Sequence, residues 1–169
     1  MVSLKNIIEI IKRTPVSFKW LKERLPDNVD IYRYKELRGK SRFNVFKNKI
    51  GIVVLIPKKG EKVGHFVVLL ARKNHIEYFS SLGNSMEAET KQLGVSPDTF
   101  RDLFGQDYIY NRNKLQKNKY TVQDCAVFCL LRLKFHEMKL REFNQLFSRK
   151  VILESSDDIA SVLGMTLIL

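Results

Sequence analysis

The sequence predicts an α+β fold, in which a central mixed β-sheet is flanked by helices. Short apolar runs of strand length, such as those at 50–56 and 66–71, follow one another in the middle of the chain, and segments of helical periodicity lie before and after them. Turn-forming residues separate the runs, as in the Pro-Lys-Lys-Gly stretch at 57–60. With 169 residues, 44% of them hydrophobic, the chain fits a single domain over 1–169 whose core needs no disulfide support.

The amino-terminal part is predicted to begin with two helices. Ser3 can cap a helix over 4–13, where apolar residues recur at helical spacing, and a Thr-Pro pair ends it. Ser17 begins a shorter helix that stops before the next proline. The segment 27–49 mixes aromatic and charged residues without a regular period, so we assign no element to it.

The remaining elements follow from hydrophobic periodicity and from turn signals. A hairpin turn is expected to join the second and third strands, and a polar loop to precede the apolar helix near the carboxyl end. The tail of the chain is apolar, so we expect it to pack against the body of the protein. The predicted strands are 50–56, 66–71, 75–79 and 108–110, and the predicted helices are 86–93, 97–104, 125–135 and 140–147.

The chain is strongly basic, with 30 Lys and Arg against 18 Asp and Glu and a formal net charge of +12. Such an excess favours non-specific attraction to polyanions such as DNA, although any single basic cluster is more often a solvated surface. The sequence has no helix-turn-helix, zinc-finger or aromatic RNA-binding signature, so we do not expect sequence-specific recognition.

The sequence carries no signal of secretion or of membrane insertion. Its apolar runs are too short to span a bilayer, and the amino terminus lacks the basic and apolar regions of a signal peptide. The two cysteines lie four residues apart on one predicted helix, which is a poor disulfide framework. We therefore expect a protein of a reducing compartment that is not secreted and has no membrane partner. Nothing in the sequence suggests an obligate assembly, so we expect a monomer.

A cysteine and a distant histidine are the candidate catalytic pair. Cys125 lies at the start of the apolar helix, where the helix dipole and free N–H groups lower a thiol pKa. His65 lies at the start of a predicted strand and can take the thiol proton if the fold brings the two together. Taken alone, each residue would more often be structural than catalytic.

A metal site is the less favoured interpretation of the same helix. Cys125, Cys129 and His136 offer three ligands, but a fourth ligand and a paired Cys-x-x-Cys are missing. We expect no metal, and we expect Cys129 to pack as a small apolar residue.

The order of several motifs resembles that of the adenovirus-type maturation proteases, whose clan includes the SUMO-deconjugating proteases. Their pattern is His-Trp, then Phe-(Asp/Glu)-x-hydrophobic-Gly, then Gln, then Cys-Gly-x-hydrophobic-x-Cys. The amino terminus is also similar to the adenoviral enzyme, with an amphipathic helix followed by Arg-Leu-Pro at 24–26. The matching segments here are His65-Phe66, Phe79-Ser-Ser-Leu-Gly83, Gln116 and Cys125-Ala-Val-Phe-Cys129.

The resemblance implies a role for each matching residue. The fold would be that of the adenoviral and ubiquitin-like-protein proteases, with Cys125 as nucleophile at a helix N-terminus and His65 as general base. Gln116 would donate to the oxyanion together with the Cys125 backbone N–H. Gly64 and Phe66, which flank the histidine, would contact substrate, and Phe66 replaces the family tryptophan.

The sequence departs from the family pattern at three positions. Ser80 stands where the family has its acidic third member, so a hydroxyl would orient His65 without supplying a charge. Ala126 replaces a glycine, and Gln116 lies nine residues before Cys125, which is a longer spacing than in the family. The nearest carboxylate on the same strand, Glu77, is expected to point to the opposite face.

The leading functional hypothesis is a cysteine endopeptidase that cleaves capsid or core precursor proteins during virion maturation. The resemblance implies a DNA virus such as a virophage as the source, a location in the virion and the infected cell, and no cofactor for the chemistry. DNA or a peptide would be the activator. The alternatives are an isopeptidase for ubiquitin- or SUMO-like modifiers and a catalytically inactive, basic nucleic-acid-binding scaffold.

Overall fold

The computed structural model describes residues 16–61, 63–116, 122–147, 156, 158–160 and 163. The predicted helix at 4–13 and most of the apolar tail lie outside them. The strands are β1 (Val29–Arg33), β2 (Gly51–Pro57), β3 (Gly64–Ala71), β4 (Ile76–Phe79) and β5 (Tyr108–Tyr110). The helices are α1 (Phe18–Lys22), α2 (Arg42–Phe46), α3 (Met86–Leu93), α4 (Asp98–Phe104), α5 (Val122–Lys134) and α6 (Leu140–Gln145), with a 3₁₀ helix at Tyr34–Leu37.

The described strands form one mixed sheet in the order β1-β2-β3-β4-β5. The central pairs β2–β3 and β3–β4 are antiparallel, whereas the outer pairs β1–β2 and β4–β5 are parallel. β3 therefore lies in the middle of the sheet, and it is buried along almost its full length. The predicted α+β class with a central mixed sheet is confirmed.

Helices cover both faces of the sheet. Alternate residues of each strand point to opposite faces, and apolar residues on both faces pack against these helices. In β3, Phe66, Val68 and Leu70 pack in one apolar cluster with residues of α1, α5 and α6. Val67 and Leu69 pack in a second cluster with residues of α3, α4 and the 3₁₀ helix. We call these the α5 face and the α3 face of the sheet.

Most sequence-based elements agree with the structure to within a few residues. The helix after Ser17 is shorter than expected and ends at Lys22, with the Ser17 hydroxyl accepting from the Trp20 N–H at 3.0 Å. Helix α5 begins at Val122, three residues before the predicted start at 125. None of the described helices is long and apolar enough to cross a membrane.

The unassigned segment 27–49 contains a strand that sequence periodicity does not indicate. β1 has only five residues and is an edge strand, with Val29 buried and its carboxyl end exposed. An edge strand has only one neighbour and needs no continuous apolar run. The apolar signal that marks a central strand is therefore weak there.

Candidate active site

Cys125 lies in the first turn of α5. The helix begins at Val122, so Cys125 is its fourth residue, and the following turns are apolar enough to bury the helix against β3. The expected position of the cysteine near a helix N-terminus is therefore found in the structure. Backbone N–H groups at this end of a helix have no intrahelical partner and favour negative charge.

Two anchors show that α5 runs in the same direction as β3. Near its carboxyl end, Arg132 binds Glu77, which pairs with Leu70 towards the end of β3. Before the helix, the backbone N–H groups of Leu115 and Gln116 donate to the carbonyl of Ser81, which lies just beyond β4. Because β4 is antiparallel to β3, this places the first turn of α5 towards the start of β3, where His65 lies.

His65 is the second residue of β3 and is held by a hydroxyl. Its Nε2 lies 3.1 Å from Oγ of Ser80, which follows the last residue of β4. By strand alternation with Phe66, His65 projects to the α3 face at the end of the sheet. His65 and Cys125 are each 1% exposed, so both reactive groups are shielded from bulk water.

A glutamate from α3 lies behind the serine. The Ser80 hydroxyl donates to Oε2 of Glu89 at 2.6 Å, and His65 Nε2 is 3.9 Å from the same oxygen. Asn84 also donates to this oxygen, at 3.3 Å. The structure thus brings an imidazole, a hydroxyl and a carboxylate into one chain of contacts, although the sequence offers no acid at position 80.

Burial and Glu89 have opposite effects on the histidine. Desolvation is the larger effect and lowers the pKa of His65 below its ordinary value, while the Glu89 carboxylate raises it. The net lowering keeps the imidazole neutral near pH 7. A neutral imidazole has the free lone pair that a general base needs.

Gln116, the residue predicted to stabilise the oxyanion, is hydrogen-bonded to Ser81, the neighbour of Ser80. Its Oε1 accepts from the Ser81 hydroxyl at 2.7 Å, and its backbone N–H donates to the Ser81 carbonyl at 2.9 Å. With Oε1 turned towards Ser81, the amide nitrogen is directed to the other side of the side chain. Gln116 is fully buried, so a donor here would act without competition from water.

Gly83 allows the segment that ends in Gln116 to pack closely against it. Its φ is +74°, a conformation that favours glycine. A Cβ at this position would lie 2.8 Å from backbone atoms of both Asn113 and Lys114. The glycine of the motif is therefore required for the packing of the segment that ends in Gln116.

Glu77 takes no part in this group, as its strand position predicted. Its carboxylate binds Arg132 at 2.7 Å and Arg72 at 2.8 Å on the α5 face. Both oxygens of Glu77 are taken by these guanidinium groups, so Glu77 is a structural ion-pair partner rather than a partner of the histidine.

The flanking residues Gly64 and Phe66 are both buried. A Cβ on Gly64 would lie 2.3 Å from the Ile56 carbonyl oxygen, so this glycine permits close pairing with β2. Phe66 belongs to the apolar cluster that also contains Cys125. Their predicted contact with substrate stays a prediction.

The second cysteine of the helix is buried in the same cluster. Desolvation raises the pKa of Cys129 well above its ordinary value, which keeps the thiol protonated. Among the described residues, no group of three or more His, Cys, Asp or Glu is arranged to hold a metal ion.

Glu89 is the member of the site that sequence reasoning missed. It lies on the buried side of α3 together with Met86, Thr90 and Leu93, the positions expected for an apolar stripe. A carboxylate within such a stripe needs a partner in the interior, because burying an unpaired charge is costly. That signal was present in the sequence, but it does not identify which residue the carboxylate meets.

Comparison with known proteins gives distant relatives. No family model matches the chain. Uncharacterized protein V9 of Sputnik virophage is 25% identical over 138 residues, which represent 73% of this chain and 77% of that protein.

Two solved structures are similar to part or most of the fold. The ASFV pS273R protease has a TM-score of 0.39 and 14% identity; the match covers 79% of this chain but only 57% of that protease. The C-terminal Ulp1 protease domain, solved in complex with Smt3, the yeast ortholog of SUMO, has a TM-score of 0.40 and 15% identity over 96% of this chain and 76% of that domain.

Proposed function

We propose that this protein is a cysteine endopeptidase in which Cys125 is the nucleophile and His65 the general base. The observation that carries the proposal is the hydrogen bond that holds the His65 ring to Ser80, beside Glu89, at the end of β3. The first turn of α5 is directed to that same end, with Cys125 in it. A buried histidine oriented by a hydroxyl and a carboxylate is more than the core of a folded domain requires.

The reaction proposed is acyl transfer through a thioester. His65 takes the proton from the Cys125 thiol, and the thiolate sulfur forms a bond to the carbonyl carbon of the substrate peptide. The C–N bond then breaks as His65 returns the proton to the departing amine. A water oxygen then bonds to the thioester carbonyl carbon while His65 accepts the water proton. The C–S bond breaks, the carboxylic acid product leaves, and His65 returns the proton to the sulfur.

Gln116 and the helix N-terminus would stabilise the oxyanion. Negative charge develops on the carbonyl oxygen in both steps, and donors placed around it lower the barrier. Loss of one such donor typically costs about a hundredfold or more in rate. The Ser81 contact, which holds Oε1 of Gln116, supports the assignment of its amide nitrogen to this task.

The hydrogen bonds of Ser80 weigh against the inactive-scaffold alternative. A site that has lost its function retains no pressure to keep a buried histidine and glutamate connected through one hydroxyl. The serine at this position is accompanied by a carboxylate from another element, Glu89, which supports an active site over a decayed one.

We propose precursor proteins of a virus as the substrates. The likeness to a virophage protein supports a viral setting, as does the order of motifs around His65 and Cys125. The net charge of +12 suits an enzyme that is concentrated on a packaged genome, where DNA would serve as its activator.

The first test is labelling by a glycine-ended peptide electrophile, followed by mass spectrometry. Wild-type protein should be labelled at Cys125, and Cys125→Ala and His65→Ala should lose that labelling. Cys129→Ala is the matched control, because it removes a thiol from the same helix one turn away. If Cys125 and Cys129 are labelled equally slowly, and at the same rate in folded and unfolded protein, Cys125 is not an activated nucleophile.

Cleavage itself is tested with a proteome-derived peptide library and sequencing of new amino termini. Wild-type protein with random-sequence DNA should generate new termini that Cys125→Ala does not. Cleavage confined to the carboxyl end of ubiquitin- or SUMO-like modifiers would favour the isopeptidase alternative. Labelling without any cleavage would contradict the peptidase assignment.

A further inference from the structure

We propose that Glu89 is a positioning residue that sets the tautomer of His65 through the hydroxyl of Ser80. This inference rests on the proposed function, because it assigns the protonation state of the general base. It replaces a direct carboxylate–histidine contact with a relay of three side chains from β3, the end of β4 and α3.

The hydrogen bonds of Ser80 determine the direction of the relay. A serine hydroxyl has one proton to donate and two lone pairs that accept. Its proton goes to Oε2 of Glu89, because a carboxylate can only accept, and the Leu82 N–H donates to one lone pair at 3.2 Å. The remaining lone pair faces His65 Nε2 at 3.1 Å, so Nε2 must carry a proton.

The other ring nitrogen is then the base. With the proton on Nε2, Nδ1 of the neutral imidazole holds the lone pair. Nδ1 is buried and has no hydrogen-bond partner within the described part of the chain. The relay therefore leaves Nδ1 as the ring nitrogen that can accept a proton, and under the proposed function that proton comes from the Cys125 thiol.

Glu89 also has the properties expected of a counter-charge. It is fully buried, and its second oxygen, Oε1, has no hydrogen-bond partner among the described residues. Once His65 takes the thiol proton, an imidazolium lies 3.9 Å from Oε2 in a site shielded from water. The attraction between these charges grows as the proton moves, so Glu89 favours the charged state without touching the substrate.

The kinetic test compares two substitutions on the same helix. Glu89→Gln keeps the size of the side chain and removes the charge. We expect kcat for peptide cleavage to fall about 10- to 100-fold with KM nearly unchanged, and the rate of electrophile labelling to fall by a similar factor. Glu87→Gln is the matched control, since Glu87 lies two residues before on α3 and binds Tyr108 instead. It should retain the wild-type rate.

The pH profile separates positioning from a merely structural effect. Burial lowers the pKa of His65 and Glu89 raises it, so removing the carboxylate alone should move the acid limb of kcat/KM to lower pH. A variant that simply loosens the site would admit water and shift the limb the other way, towards the ordinary histidine pKa.

The tautomer can be observed without substrate by ¹⁵N NMR of the three histidines, with His65 assigned by its loss in His65→Ala. Wild-type His65 should show the neutral form protonated on Nε2, and Ser80→Ala and Glu89→Gln should show a mixture. Ser80→Asp combined with Glu89→Gln, which moves the carboxylate into direct contact, should restore both the single tautomer and most of the rate.

The outcomes distinguish this inference from the proposed function. If wild-type protein shows His65-dependent labelling but Glu89→Gln behaves as Glu87→Gln in rate, pH profile and tautomer, the relay is wrong and the protease assignment stands. If His65 shows the Nε2-protonated tautomer but Cys125 has no activated chemistry, the geometry is correct and the proposed function fails.

Discussion

A single hydroxyl, that of Ser80, makes the contacts that organise the site. It joins His65 to Glu89 and accepts from the Leu82 N–H, while the Ser80 carbonyl accepts from Asn111. Asn111 in turn accepts from Asn144 of α6. A residue that sits in such a network is fixed by several elements at once, so its rotamer is set before substrate arrives.

At the residue scale, we predict that Gly83→Ala impairs the site whereas Gly60→Ala does not. Both glycines have positive φ, +74° and +79°, so alanine has a similar backbone strain at each. Only at Gly83 does the added Cβ meet backbone atoms, those of Asn113 and Lys114. The loop carrying Gln116 must then move.

The measurement is urea unfolding together with the rate of Cys125 labelling. Gly83→Ala should lower the free energy of unfolding by about 1–3 kcal/mol more than Gly60→Ala. It should also slow labelling, while Gly60→Ala keeps the wild-type rate. Equal losses for the two variants would mean that the loop accommodates the extra methyl group.

At the scale of elements, a buried ion pair joins α5 to the sheet. Arg132 is fully buried and binds both oxygens of Glu77, at 2.7 and 3.1 Å. It also donates to the carbonyls of Phe135 and Met138, at 2.5 and 2.9 Å. The same side chain thus fixes the carboxyl end of α5 against β4 and closes the turn towards α6.

We predict that Arg132→Met lowers the free energy of unfolding by about 3 kcal/mol. Loss of one partner of a buried pair typically costs about 3–5 kcal/mol, and the remaining contact of Glu77 with Arg72 places this case at the lower end. Arg101→Met is the control, because the Arg101–Asp98 pair is exposed, with side chains 48% and 68% accessible. Its effect should be within about 1 kcal/mol.

Urea unfolding at neutral pH measures both variants. Adding Glu77→Leu to Arg132→Met should recover part of the loss, since it removes the uncompensated carboxylate. A double variant as unstable as the sum of its single variants would contradict a direct coupling between the two residues.

At the scale of the whole molecule, the basic surface should bind DNA without regard to sequence. The exposed residues Lys35, Arg38, Lys40 and Arg42 lie in one short segment that leads into α2. Binding that releases counterions weakens linearly with the logarithm of salt concentration.

Fluorescence anisotropy with two unrelated duplexes measures this prediction. The two affinities should agree, and both should fall steeply between low and physiological salt. Substituting the four residues by glutamine should reduce the salt slope by as much as about 4, close to one unit for each phosphate that is no longer neutralised. An affinity that does not depend on salt, or a strong preference for one duplex, would contradict sequence-independent electrostatic binding to DNA.

Sequence patterns predicted the class of fold and most of the elements, because apolar periodicity depends only on neighbours along the chain. The buried strands β2 and β3 and the helices α3 and α5 are clear for this reason. The edge strand β1 was missed, since it packs on one neighbour and needs no such pattern. Placement of His65 at a strand start and of Cys125 at a helix start also followed from local signals.

The acidic residue of the site, Glu89, could not be predicted from such local signals. Glu89 is nine residues from Ser80 and lies on a different element, and Ser80 is itself fifteen residues from His65. Their contact depends on how α3 packs against the sheet end, which is a property of three-dimensional packing and leaves no fixed spacing in the chain. Residue types and local periods can be read along the chain, whereas the partners of a buried charge are decided when the helices and the sheet close around it.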